Sequence, residues 1–173
     1  MYFGLIKDGL YGTIYIAPAT LAPVTIEKTV IGGNLIMIKI PTDLIAKTVT
    51  PALEAREEIA GAYLFGSALE LCRPDSDIDI GLVIDPLYGP PEEYYERIAN
   101  SIANRLSRLN GHPFDVVPLN IMNSIFAFKV IRNGRLIYNV RPLIVSDFIE
   151  KISRQYAENY PRYREALKII VGV

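Results

Sequence analysis

Apolar and polar positions along this chain follow two different rhythms. In residues 1–41 short β-rich runs alternate with turn signals and no helical period appears. Residues 2–6 and 11–16 flank Lys7-Asp8-Gly9, where Asp-Gly favours the positive φ angles of a tight turn, and predict a first hairpin. Residues 24–31 and 34–40 flank Gly32-Gly33 and predict a second. A helix is then expected from Thr50-Pro51, read as an N-cap followed by proline at the first helical position, with Leu53, Ile59 and the alanines as its stripe through Ala60. From Gly61 strand and helix alternate. Strands are predicted at 62–65, 77–84, 114–119 and 135–139. A helix opens at Pro90-Pro91-Glu92-Glu93 and repeats Tyr94, Ile98, Ile102, Leu106 until Asn110-Gly111 stops it near Leu109. Another covers 121–131. Ser146 is expected to cap a terminal helix with the stripe Phe148, Ile149, Ile152, Tyr156, kinked or broken at Pro161. The pattern is α+β: helices packed on a mixed β-sheet, with a β-rich N-terminal appendage (1–41) ahead of the main domain (42–173).

Composition narrows the classes. At 173 residues the chain can bury roughly 70% of its unfolded surface, so neither disulfides nor a structural metal are required. The lone Cys72 can form no internal bridge or cysteine-based zinc site. With 18 Lys+Arg against 19 Asp+Glu, the net charge of −1 excludes polycation-type binding and counts against long nucleic acid. No apolar run approaches the ~20 residues of a membrane helix, and nothing at the start reads as a signal peptide. A cytoplasmic protein with no membrane partner is expected.

The chemistry concentrates in Ala62-Tyr63-Leu64-Phe65-Gly66-Ser67 and Asp77-Ile78-Asp79-Ile80. Residues two apart on a strand share a face, so Asp77 and Asp79 project together while Ile78 and Ile80 point into the core. Paired carboxylates repel unless a cation neutralises them. Oxygen ligation by few carboxylates suits Mg²⁺, which keeps waters and takes its remaining ligands from substrate phosphates. Upstream, an apolar strand ends at Gly66-Ser67, where glycine permits a sharp turn, the following amides can cradle phosphate oxygens, and the Ser67 hydroxyl adds a donor. Asp115, alone in the apolar run Phe114-Asp115-Val116-Val117, joins the cluster if its strand lies beside 77–84. It would then bind one of two Mg²⁺ ions and help deprotonate an attacking hydroxyl.

These residues resemble the signature of the minimal nucleotidyltransferases of the DNA polymerase β superfamily: an apolar strand ending in Gly-Ser, then Asp-x-Asp, then a later strand with a third Asp. The segment from Arg73 to Asp79 is especially similar to family members, and the likeness spans roughly residues 53–164. It implies a polymerase β palm-like fold and two Mg²⁺ ions. Asp77, Asp79 and Asp115 would be catalytic and metal-binding, with Gly66 and Ser67 at the phosphates. Relatives usually place an arginine and a further glycine shortly after Gly-Ser, whereas this chain reads Ala68-Leu69-Glu70-Leu71-Cys72. Glu70 would repel a triphosphate if it pointed inward, and Arg73 is the cation available in place of the missing one.

The resemblance implies transfer of a nucleoside monophosphate, AMP favoured, from a nucleoside triphosphate to a hydroxyl. The acceptor is expected on an all-helical HEPN-type partner, as in toxin–antitoxin pairs. The alternative is a catalytically weak or silent nucleotidyltransferase-fold protein that neutralises or scaffolds such a partner, the reading that Glu70 favours. A homo-oligomer stays open. Asp75 and Asp85, beside prolines, read as turn residues; Cys72 reads as packing; and His112, after Asn110-Gly111, reads as a loop histidine. Tyr156, Tyr160 and Tyr163 suggest an amphipathic surface, and Arg154, Arg162, Arg164 and Lys168 a solvated helix face.

Overall fold

A computed structural model describes residues 14–16, 24–31, 35–88 and 92–172. Three strands, β1 (Ile14–Ile16), β2 (Val24–Ile31) and β3 (Leu35–Lys39), form an antiparallel meander. Its second hairpin is the predicted one, with Ile31 opposite Leu35. The first predicted hairpin lies outside the described residues, apart from residues 14–16, which pair with residues 24–26.

The helix α1 (Thr42–Glu54) precedes the strand β4 (Ile59–Phe65). The helix therefore starts earlier than expected: Thr50 and Pro51 lie in its last turns, and Ile59 and Ala60 belong to the strand. The stripe that decides this is Ile45, Val49 and Leu53, all fully buried and four residues apart. The Thr50 hydroxyl donates to the Ala46 carbonyl at 2.8 Å instead of capping a new helix.

The remaining elements are β5 (Ile78–Ile84), α2 (Glu92–Arg105), β6 (Phe114–Pro118), α3 (Ser124–Asn133), β7 (Arg135–Asn139) and α4 (Pro142–Val171). The sheet order is β6-β5-β4-β7, with β5 and β6 parallel and the other pairs antiparallel, so the sheet is mixed and the fold α+β as expected. Alternation along the strands feeds two cores. Ala62, Leu64, Ile78, Ile80, Leu82 and Ile84 pack with α1 and α2, while Tyr63 and Val83 pack with Ala127 and Val130 of α3 and Val145, Phe148 and Ile152 of α4.

Three boundaries differ from expectation. Helix α2 ends at Arg105 rather than near Leu109, and Asn110 (φ 54°) and Gly111 (φ 92°) form a two-residue turn closed by reciprocal Leu109–His112 backbone bonds of 2.9 and 3.0 Å. Helix α3 starts at Ser124, capped by Asn123, whose Oδ1 accepts from the Phe126 amide at 2.9 Å. Helix α4 begins at Pro142, with Ser146 already inside it, and continues through Pro161. Pro161 leaves the Ala157 carbonyl without its helical donor, but both residues are exposed, so water satisfies that carbonyl. Along α4 the rings of Tyr156, Tyr160 and Tyr163 form a ladder that starts on Phe128, stacked 3.9 Å from Tyr156. No helix among the described residues is long and apolar enough to cross a membrane.

The N-terminal meander is joined to the main sheet at the loop after β4. Ile38 of β3 and Cys72 exchange two backbone hydrogen bonds of 2.8 Å, and the Cys72 thiol donates to the Ile38 carbonyl at 3.4 Å. Ile38, Ile40 and Cys72 are buried in the α1/α2 core. Cys72 is thus a packing residue, as expected, and burial pushes its thiol up.

Candidate active site

Strand β4 ends where β5 and β6 begin, so three neighbouring strands deliver their polar residues to one edge of the sheet. The register pairs Phe65 with Asp79 across β4 and β5, and Asp79 with Asp115 across β5 and β6. Asp77 immediately precedes β5. Asp77 therefore does not share the strand expected for it, although its charge and that of Asp115, on the adjacent strand, both reach Asp79.

After Phe65 the chain turns sharply into a 3₁₀ turn, Gly66–Leu69. Gly66 has φ +72°, and the place a Cβ would occupy on it is taken by Asp79 Oδ2, with the Asp79 carboxyl carbon 2.9 Å away. Glycine is needed at this position for both reasons. Gly66 and Ser67 are exposed, whereas Ala68 is buried and anchors the turn. Arg73 and Glu70 are both exposed. The Glu70 amide donates to the Ser67 carbonyl at 3.3 Å, and Arg73 opens the Arg73–Ser76 turn that leads to Asp77.

Negative charge gathers at this edge, where no ion pair forms among the described residues. Asp79 is partly buried, and its carboxyl is pushed up to about 6, first by burial and then by the negative charges of Asp115 and Asp77. Asp77 and Asp115 are exposed, Asp115 on the rim of the sheet. Among the described residues no three His, Cys, Asp or Glu side chains close into a ready cage for a metal ion. Carboxylates that repel one another in this way could be neutralised by a hard, oxygen-preferring divalent cation.

A cavity of about 190 Å³ adjoins the turn, lined by Phe65, Gly66, Leu69 and Phe126 with Lys129 and Asn133 at α3. The Phe65 and Phe126 rings meet edge to face at 5.6 Å. At the far end of the cavity Gly134 passes so close to β4 that a Cβ would lie 2.9 Å from the Leu64 carbonyl.

Two neighbouring features hold more than their sequence reading. His112 lies in the loop before β6, as expected, but it is 1% exposed, its Nδ1 lies 2.7 Å from the Ser76 carbonyl oxygen, and its buried Nε2 has no partner among the described residues. Asp85 is more than a turn residue. It does accept from the Leu87 amide at 2.9 Å, but it is also 2% exposed and ion-paired with Arg141, whose guanidinium lies 5.7 Å from the Tyr88 ring centroid. Asp75 is exposed in the turn before Asp77, as expected.

The chain belongs to the polymerase β nucleotidyltransferase family. The signature described as Polymerase beta, Nucleotidyltransferase matches residues 47–142 and so takes in Gly66-Ser67, Asp77-Ile78-Asp79 and Asp115. Several solved structures are similar in fold. A crystal structure of the toxin–antitoxin MntA–HepT is matched at 16% identity with a TM-score of 0.47, over 72% of this chain and 98% of that one. A tri-AMPylated Shewanella oneidensis HEPN toxin in complex with MNT antitoxin is matched at 17% identity and a TM-score of 0.48, over 73% of this chain and 99% of that one. A toxin–antitoxin structure with AMP-PNP is matched at 16% identity and a TM-score of 0.48, over 70% and 98%. No curated protein matches the chain.

Proposed function

We propose that this protein is a Mg²⁺-dependent nucleotidyltransferase that moves a nucleoside monophosphate, AMP favoured, from a nucleoside triphosphate to a hydroxyl on a protein partner. The observation that carries the reading is the position of Asp79, wedged between Asp115 and Asp77 in charge and against Gly66 in space. A carboxylate so crowded favours a bound cation, and the backbone that follows directly from Gly66 is placed to cradle phosphate.

In this proposal Gly66 and the Ser67 hydroxyl orient the triphosphate, and Arg73 adds positive charge from the turn before Asp77. Asp77, Asp79 and Asp115 hold two Mg²⁺ ions, which would supply neutralisation of the triphosphate and of the leaving pyrophosphate. The acceptor oxygen forms a bond to the α-phosphorus as the bond from that phosphorus to the bridging oxygen breaks, and pyrophosphate departs. Asp115, exposed at the rim, takes the hydroxyl proton. The cavity beside Gly66 receives the nucleoside against Phe126 and Phe65, with Lys129 and Asn133 as its polar groups. Residues 42–173 form the transfer domain and 1–41 an appendage sewn to it through β3.

The acceptor is assigned to an all-helical HEPN-type protein, which rests on the sequence resemblance. A silent partner-binding protein is the second reading, favoured by the exposed Glu70 at the end of the phosphate turn. Incubation with such a partner, Mg²⁺ and each α-labelled nucleoside triphosphate distinguishes the two. Label on the partner that disappears in Asp77→Asn or Asp79→Asn supports transfer; a bound partner without label supports the silent reading.

A further inference from the structure

Asp77 is the one member of the aspartate cluster that lies outside a regular strand, yet its backbone is fastened on both sides. On the near side the Ser76 carbonyl accepts from the His112 ring at 2.7 Å. On the far side the Ile78 amide donates to the Pro113 carbonyl at 2.9 Å. Both fasteners come from consecutive residues immediately before β6, the strand that carries Asp115. His112 is itself rigid, because the Asn110-Gly111 turn bonds its backbone twice to Leu109 and the Arg108 guanidinium donates to the Gly111 carbonyl at 3.0 Å.

A carbonyl oxygen can only accept, so Nδ1 carries the proton and Nε2 of the neutral ring is a bare acceptor. That Nε2 is buried without a partner among the described residues. An apolar side chain of similar size would avoid the penalty of burying it, so the ring is explained by its bond to Ser76, and the consequence of that bond is the position of Asp77.

We infer that His112 is a positioning residue for the metal site: through Nδ1–H···O=C of Ser76 it fixes Asp77 relative to Asp115, and so sets the affinity of the aspartate cluster for a divalent cation. This rests on the nucleotidyltransferase reading above. Groups that orient metal ligands from behind typically govern about tenfold to a hundredfold in metal affinity.

The test uses the full chain with Mn²⁺ as the probe ion, its binding followed by electron paramagnetic resonance in the presence of a non-hydrolysable ATP analogue. Asparagine superposes its side-chain amide nitrogen on Nδ1, so His112→Asn keeps the donor, and His112→Leu removes it. Expected are Mn²⁺ binding within about threefold of wild type for His112→Asn and weakening of about tenfold or more for His112→Leu, with metal-free nucleotide affinity the same in all three. A folded His112→Leu variant that binds Mn²⁺ like wild type overturns this inference alone, as does a folded His112→Asn variant as weak as His112→Leu. Wild-type protein that takes up no Mn²⁺ removes the transferase reading as well. A second measurement needs no variant. Because His112 is the single histidine, a long-range ¹H–¹⁵N spectrum of untagged protein reads its tautomer without assignment; a protonated Nδ1 and bare Nε2 support the inference, and an Nε2–H tautomer overturns it.

Discussion

The Asp79 carboxylate occupies the space that a side chain on Gly66 would need, while Gly66 itself sits at φ +72°. The Gly66 turn and the aspartate cluster are therefore one packed unit. Gly66→Ala must relax a left-handed backbone and displace the central acid together. The expected cost is about 1–3 kcal/mol of stability from the strained backbone, with label transfer falling at least a hundredfold because Asp79 is moved. Urea unfolding and label transfer on the same preparation check this; a Gly66→Ala enzyme of normal rate would sever the link between turn and cluster.

The crowding of Asp79 also fixes the pH behaviour of the metal-free protein. Its carboxyl, ordinarily near 3.8, is held up to about 6 in the fold. The folded state thus binds more protons than the unfolded one, so this group favours folding at acid pH, and that contribution is lost as pH rises from 3.8 through about 6. The difference amounts to ~3 kcal/mol at most, and solvent screening of a partly exposed group reduces it to roughly 1 kcal/mol. Asp79→Asn is expected to stabilise the metal-free protein by that amount at pH 7.5 and by almost nothing near pH 4. Thermal melts across pH check the sign. Mg²⁺ with nucleotide should stabilise wild type more at pH 7.5 than at pH 5, because protons compete for Asp79 at the lower pH.

What the sequence revealed of this site, and what it hid, follows from the range of each interaction. Gly66-Ser67 and Asp77-Ile78-Asp79 were legible because a glycine turn and a spacing of two are local properties. Asp115 was legible because a lone carboxylate in an apolar strand needs an explanation. The burial and partner of His112 were not, since that partner is a backbone carbonyl 36 residues away; the sole hint was the Asn110-Gly111 pair, which reads equally as a helix stop or a tight turn. The Asp85–Arg141 pair spans 56 residues and was hidden for the same reason. Helix α1 was misplaced because Thr50-Pro51 mimics a helix start, and the Ile45, Val49, Leu53 stripe outweighs it.

Arg141 neutralises a carboxylate that is 2% exposed and lies at the end of β5. Contact with Tyr88 and with Asp85 holds the guanidinium pKa above its usual value. Removing it in Arg141→Ala leaves Asp85 buried and uncompensated. We expect a clear loss of stability, smaller than for a fully buried pair because Arg141 is itself partly exposed. Adding Asp85→Asn should recover part of this by removing the buried charge. Urea denaturation of the two variants measures both effects; an Arg141→Ala protein as stable as wild type would mean that water reaches Asp85.

The seam between β3 and the loop after the Gly66 turn can be followed through its cysteine. Cys72 is 1% exposed, its thiol is pushed up by burial, and its backbone and Sγ are all engaged with Ile38. A thiol that is buried and protonated reacts only when the structure around it opens. Labelling of native protein by a maleimide should be slow and rise steeply in urea. Ile38→Pro removes the amide that bonds the Cys72 carbonyl, and should accelerate labelling at least tenfold in the absence of denaturant. The same loop runs on to Asp77, so Mg²⁺ with nucleotide should slow labelling of wild type. Fast labelling of the native protein, or an Ile38→Pro variant labelled at the wild-type rate, would show that β3 does not guard this loop.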